Sequence, residues 1–109
     1  MKGKLSTHVL DVVKGGPATG MKLELWSFDR KELLKTVFTN DDGRTDGPLL
    51  GSDEIAEGTY EILFHAGDYF GQNSFLDVIP LRFKISDPAL GYHVPLLCSP
   101  WAYSTYRGS

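Results

Sequence analysis

The chain has 109 residues, and its 11 Lys and Arg against 14 Asp and Glu give a formal charge of −3, which fits one domain with a shallow core and excludes the basic stripe of a nucleic-acid binder. A single cysteine, Cys98, excludes an internal disulfide, a Cys-x-x-Cys redox pair and a Cys-based zinc site. With scattered basic residues, no run near the about 20 apolar residues of a membrane span, and no signal-like opening, neither membrane nor nucleic acid is expected as a partner, and the location expected is cytoplasmic.

Twelve Gly and six Pro cut the chain into short segments, most of which alternate with period two. Residues 4–13 read as a strand, and Gly15-Gly16-Pro17 with Gly20 as a loop. Strands follow at 21–28 and 32–39, the second ended by the turn signal Asn40-Asp41-Asp42-Gly43. Arg44-Thr45-Asp46 reads as a very short strand, and 49–57 as irregular or briefly helical. A strand over 58–65 puts Tyr60, Ile62 and Phe64 on one face, and 66–74 loses alternation and reads as a short helix. Strands at 81–85, 92–98 and 101–107 complete the chain, with a turn at Ser99-Pro100. So many short strands at this spacing give an all-β antiparallel sandwich with one domain over 1–109.

Alternation also assigns faces. In 92–98, Tyr92, Val94, Leu96 and Cys98 form the core side, which turns His93, Pro95 and Leu97 outward. In the first strand His8 shares a face with Leu10, and in the last strand Ala102, Ser104 and Tyr106 lie together. Placed in one sheet, these outward residues make an apolar face carrying two of the three histidines. Such a face marks an interaction surface, and symmetric association of identical chains would enclose a polar cleft on it. The chain closes on Arg107-Gly108-Ser109, which brings a guanidinium, a small residue, a hydroxyl and a carboxylate to the end of a strand.

Three segments carry a resemblance: Leu5-Ser-Thr-His-Val-Leu-Asp11, Gly43-Arg-Thr-Asp-Gly-Pro-Leu49, and Tyr92-His-Val-Pro-Leu-Leu97 with Ser99-Pro100 and Tyr103-Ser-Thr-Tyr-Arg-Gly-Ser109. With them the chain resembles the transthyretin-related 5-hydroxyisourate hydrolase family, and the closing Tyr-Arg-Gly-Ser separates the hydrolases from transthyretin. The resemblance implies a transthyretin-like sandwich of two four-stranded antiparallel sheets with one short helix. It also implies a homotetramer, a dimer of dimers with active sites between the dimers. The catalytic positions it implies are His8, Arg44, His93 and Ser109, with Tyr106, Arg107 and Gly108 binding substrate. One departure is Gly91, which stands where the family often has a further His.

The implied reaction adds water to a ring amide of 5-hydroxyisourate and yields 2-oxo-4-hydroxy-4-carboxy-5-ureidoimidazoline, with no cofactor and no metal. It needs a base for water, a donor to the developing oxyanion and an acid for the leaving nitrogen. Imidazoles titrate near neutrality, so His8 and His93 suit both proton transfers, in either order. Arg44 suits the oxyanion; Arg107 either assists or only anchors the terminus. The alternative is a transthyretin-like small-ligand carrier, which would have no use for two imidazoles in its channel. His65 ends a core-like strand outside the matched segments and reads as structural, Cys98 lies on the core-facing parity and reads as an inert buried thiol, and Trp101 and Tyr103 read as packing rather than substrate stacking.

Overall fold

Along the first strand the side chains alternate without a break: Leu5, Thr7, Val9 and Asp11 are buried, and Ser6, His8 and Leu10 between them are half-buried. That strand, β1 (Leu5–Asp11), opens a computed structural model describing residues 3–108. It is followed by β2 (Gly16–Pro17), β3 (Lys22–Ser27), β4 (Glu32–Phe38), β5 (Gly58–His65), α1 (Ala66–Phe70), β6 (Val78–Ile85), β7 (Tyr92–Cys98) and β8 (Tyr103–Thr105).

The strands form two four-stranded sheets, ordered β2-β1-β7-β8 and β4-β3-β5-β6. Their inner faces meet in one core that includes Leu5, Val9, Leu23, Leu25, Ile62, Phe64, Ile79 and Leu96. Each such side chain contributes roughly 1.5–3 kcal/mol by leaving water. The expected sandwich of two sheets and a short helix is present. One pair departs from the antiparallel expectation: β1 and β7 run parallel, with Ser6 opposite His93 and His8 opposite Pro95. The first sheet is therefore mixed. Alternation fixes a strand's faces and leaves its direction open, which is why the sequence did not reveal this pair.

Smaller departures have local causes. Arg44-Thr45-Asp46 is bent and irregular, held by Asn40, where a short strand was expected. Gly16–Pro17, expected as loop, pairs with Leu10 and Asp11 as β2. The helix ends at Phe70, short of the expected 74, where Gly71 takes φ 101°.

The last strand covers only Tyr103–Thr105 of the expected 101–107. Trp101 sits in the turn that the Ser99 hydroxyl holds by accepting from the Trp101 and Ala102 amides. This leaves Trp101 68% and Tyr103 44% exposed, so they do not pack as expected. At the other end Pro95 cuts the ladder. The carbonyls of His93 and Pro95 both face β8, accepting from the Gly108 amide and the Thr105 hydroxyl. A residue at 95 with an N–H would donate toward Tyr106; proline has none. Pairing lapses there and resumes at the isolated His93–Gly108 bridge.

Candidate active site

The parallel register builds the site. Residues opposite each other in a pair of strands share a face, so Ser6 and His93, His8 and Pro95, and Leu10 and Leu97 lie side by side on the outer face of the first sheet. β8 adds Ser104 opposite Leu97. This is the face that alternation indicates, with Ser6 added and with Pro95 buried under its neighbours.

His93 is held on both flanks. Its Nδ1 lies 2.8 Å from Ser6 Oγ on β1. On the other flank the Gly108 amide donates to the His93 carbonyl at 2.7 Å, and a Cβ at 108 would stand 2.7 Å from His93 Cδ2. Burial lowers the basicity of His93 below the ordinary 6.5, and the nearby positive charges of Arg44 and His8 lower it further, against an opposing hydrogen bond that the ring donates to the Ser6 backbone. At neutral pH the ring is therefore an uncharged imidazole able to accept a proton.

Arg44 reaches this face because its loop is tied to β1. The Val9 amide, next to His8, donates to the Gly43 carbonyl at 2.8 Å. Gly43 takes φ 74° and packs against the Val9 carbonyl so closely that no side chain fits. Asn40 closes the loop, its Oδ1 accepting from the Asp42 and Arg44 amides at 2.9 and 3.2 Å. Farther along the same edge, Leu49 donates to the Leu5 carbonyl at 2.8 Å. The exposed Arg44 thus stands beside β1, near enough for its charge to be felt at His93.

The C-terminal residues divide. Gly108 lies against His93. Arg107 turns the other way: its Nη2 donates to the Gly91 carbonyl at 3.2 Å, and its guanidinium lies 4.4 Å from the centroid of the inward-facing Tyr92 ring. Tyr106 is 60% exposed and, with Arg107, borders an open groove of about 640 Å³ beside β6. Ser109 lies outside the described residues. The sequence residues brought together are thus His8, Arg44, His93 and Gly108. Ser6 escapes sequence reasoning, because only the β1–β7 register brings it to His93.

Other polar groups are occupied elsewhere. His65 Nε2 is 2.7 Å from Glu24 Oε2 on the outside of the second sheet. Burial and the charge of Asp11 push the Cys98 thiol up to about 11, an inert group at neutral pH. Among the described residues no three His, Cys, Asp or Glu are placed to hold a metal ion.

Residues 5–108 match the HIUase/Transthyretin family. The chain belongs to that family. Within it, the chain is 53% identical to 5-hydroxyisourate hydrolase 2 of Rhizobium meliloti (strain 1021), over 98% of this chain and 97% of that protein. Klebsiella pneumoniae 5-hydroxyisourate hydrolase shares the fold at a TM-score of 0.85 and 31% identity, covering 98% of this chain and 99% of that one. The crystal structure of (S)-allantoin synthase aligns at a TM-score of 0.90 and 46% identity; it covers 99% of this chain, which spans 44% of that longer one.

Proposed function

We propose that this protein hydrolyses 5-hydroxyisourate, adding water to a ring amide carbonyl to give 2-oxo-4-hydroxy-4-carboxy-5-ureidoimidazoline. The observation that carries this reading is an uncharged His93 within the electrostatic reach of His8 and Arg44, in a chain 53% identical to a hydrolase of that name. His93 and His8 move the protons. Arg44 steadies the charge that develops on the attacked carbonyl oxygen. Ser109, one residue beyond the Gly108 bridge, supplies its hydroxyl to substrate or water. Tyr106 closes the site, and Arg107 fixes the terminus through Gly91 and Tyr92. No metal or cofactor takes part in this scheme.

The reading includes assembly as a homotetramer, a dimer of dimers, with sites between the dimers. Its support is the apolar company that Leu10 and Leu97 give the imidazoles on one sheet face. We assign it to the cytoplasm, in keeping with its single thiol; among the described residues no helix is long and apolar enough to cross a membrane. A carrier of apolar ligands would gain nothing from two imidazoles and a guanidinium sharing one field.

The test is the ultraviolet decay of freshly generated 5-hydroxyisourate with and without protein. Strong acceleration is expected, with roughly 10²–10⁴-fold loss in His8→Ala and in His93→Ala. Decay no faster than in buffer, together with tight binding of an aromatic ligand, would establish the carrier instead.

A further inference from the structure

The Ser6 hydroxyl sits 2.8 Å from His93 Nδ1 across the β1–β7 pair. Resting on the hydrolase reading above, we infer that Ser6 is a positioning residue that keeps the proton of neutral His93 on Nδ1, so that Nε2 is the nitrogen that exchanges protons in the reaction.

The geometry of the ring carries this. An imidazole joins its backbone at Cγ, and the two atoms flanking Cγ are Nδ1 and Cδ2. Ser6 occupies the Nδ1 flank. Gly108 occupies the Cδ2 flank, where even a methyl group would come within 2.7 Å. With both flanks gripped by neighbouring strands, the remaining edge of the ring, Cε1 and Nε2, projects away from the sheet. Among the described residues no hydrogen bond reaches Nε2. The groups around the ring favour the same proton placement. Arg44 on the neighbouring loop has only donors to offer, and the Ser6 backbone adds a hydrogen bond that favours a proton on the ring. A hydroxyl suits a ring that cycles its charge. Its oxygen accepts from Nδ1–H both in the neutral ring and in the cation formed when Nε2 takes a proton. A carboxylate in the same place would hold the cation and slow its release. Ser6 touches the imidazole, not the substrate, so its effect passes through His93 alone.

Two measurements test the inference. In protein carrying ¹⁵N-labelled histidine, the nitrogen shifts of neutral His93 should report the Nδ1–H form as the major species in wild type and a mixture in Ser6→Ala. In steady-state hydrolysis, Ser6→Ala should lower kcat about 10–100-fold, the scale known for loss of the partner that orients a metal-ligating imidazole, with KM little changed. Ser6→Thr, which keeps the hydroxyl, should recover most of the rate. A major Nε2–H form in wild type overturns the inference without any variant having to fold. So does a folded Ser6→Ala with unchanged kcat and unchanged nitrogen shifts. Should wild type show the expected tautomer and yet fail to hydrolyse 5-hydroxyisourate, the hydrolase reading falls, while the role of Ser6 in fixing the ring stands.

Discussion

Gly108 lies flat against the Cδ2 flank of His93, with its amide donating to the His93 carbonyl at 2.7 Å, and the space between them admits hydrogen only. The smallness of residue 108 is thus a requirement of the ring beside it. Gly108→Ala should displace the ring and lower kcat about 100-fold, the scale on which an ångström of misplacement acts. Because 108 is joined to the sheet by an isolated bridge outside the strands, the thermal midpoint should hardly move. Comparing the two measurements on one preparation checks this; a fully active Gly108→Ala would show that the ring has room to spare.

The depressed basicity of His93 fixes the direction of a pH effect. Its folded-state value lies below the ordinary 6.5, first through burial and then through Arg44 and His8. The neutral ring is the form the fold prefers. Its contribution to stability is complete above pH 6.5 and is lost as pH falls through the lower folded value. The acid limb of kcat/KM should therefore lie below pH 6.5. Arg44→Gln removes one of the opposing charges and should move the limb upward, besides lowering the rate itself. A pH profile of both proteins decides it.

Tyr69 ties α1 to the opposite sheet, its hydroxyl donating to the buried Asp11 carboxylate at 2.8 Å. Tyr69→Phe leaves that oxygen without its donor and should cost about 1–3 kcal/mol, read as a lower denaturant midpoint with unchanged slope. Burial, the hydrogen bond to Asp11 and its charge push the Tyr69 hydroxyl up from 10.0 to about 12. This contribution is whole below pH 10 and disappears as pH rises through about 12. Melting the wild type and Tyr69→Phe across that range should show the two converging.

Gly43 offers a way to move Arg44 without changing it. With φ 74° and the Val9 carbonyl against it, Gly43→Ala should detach the loop from β1. The expected result is a loss of about 1–3 kcal/mol in stability from the strained backbone and a fall in kcat/KM. The acid limb of the pH profile should rise at the same time, because the guanidinium recedes from His93. A limb that stays in place would show Arg44 reaching the site by another route.

Much of this arrangement was legible in the residues. Period-two alternation bounded β5 and β7 where the structure has them, and it turned His8 and His93 to the same side. What alternation could not supply was direction and neighbours. Whether β1 runs with or against β7 depends on the whole path of the chain, so the contact of Ser6 with His93 had no local signature. Pro95 did carry a readable signal, a missing donor in a central strand, and it shortens β8. Trp101 misled through composition: aromatic residues favour cores, but this one falls at the tip of a turn braced by Ser99. The turn chemistry of Asn40 to Gly43 was plain, while its attachment to Val9, which delivers Arg44, lies entirely in tertiary contact.

The like-directed pairing of β1 with β7 has a bearing on synthesis. Ser6 on β1 leaves the ribosome 87 residues ahead of His93 on the strand it pairs with. Until then β1 has along its length only the two-residue β2 and the loop contacts at Gly43, Leu49 and Leu50, and pairing of such wide sequence separation is slow. Histidines 8 and 93 therefore stay apart in the nascent chain until β7 has emerged and paired with β1.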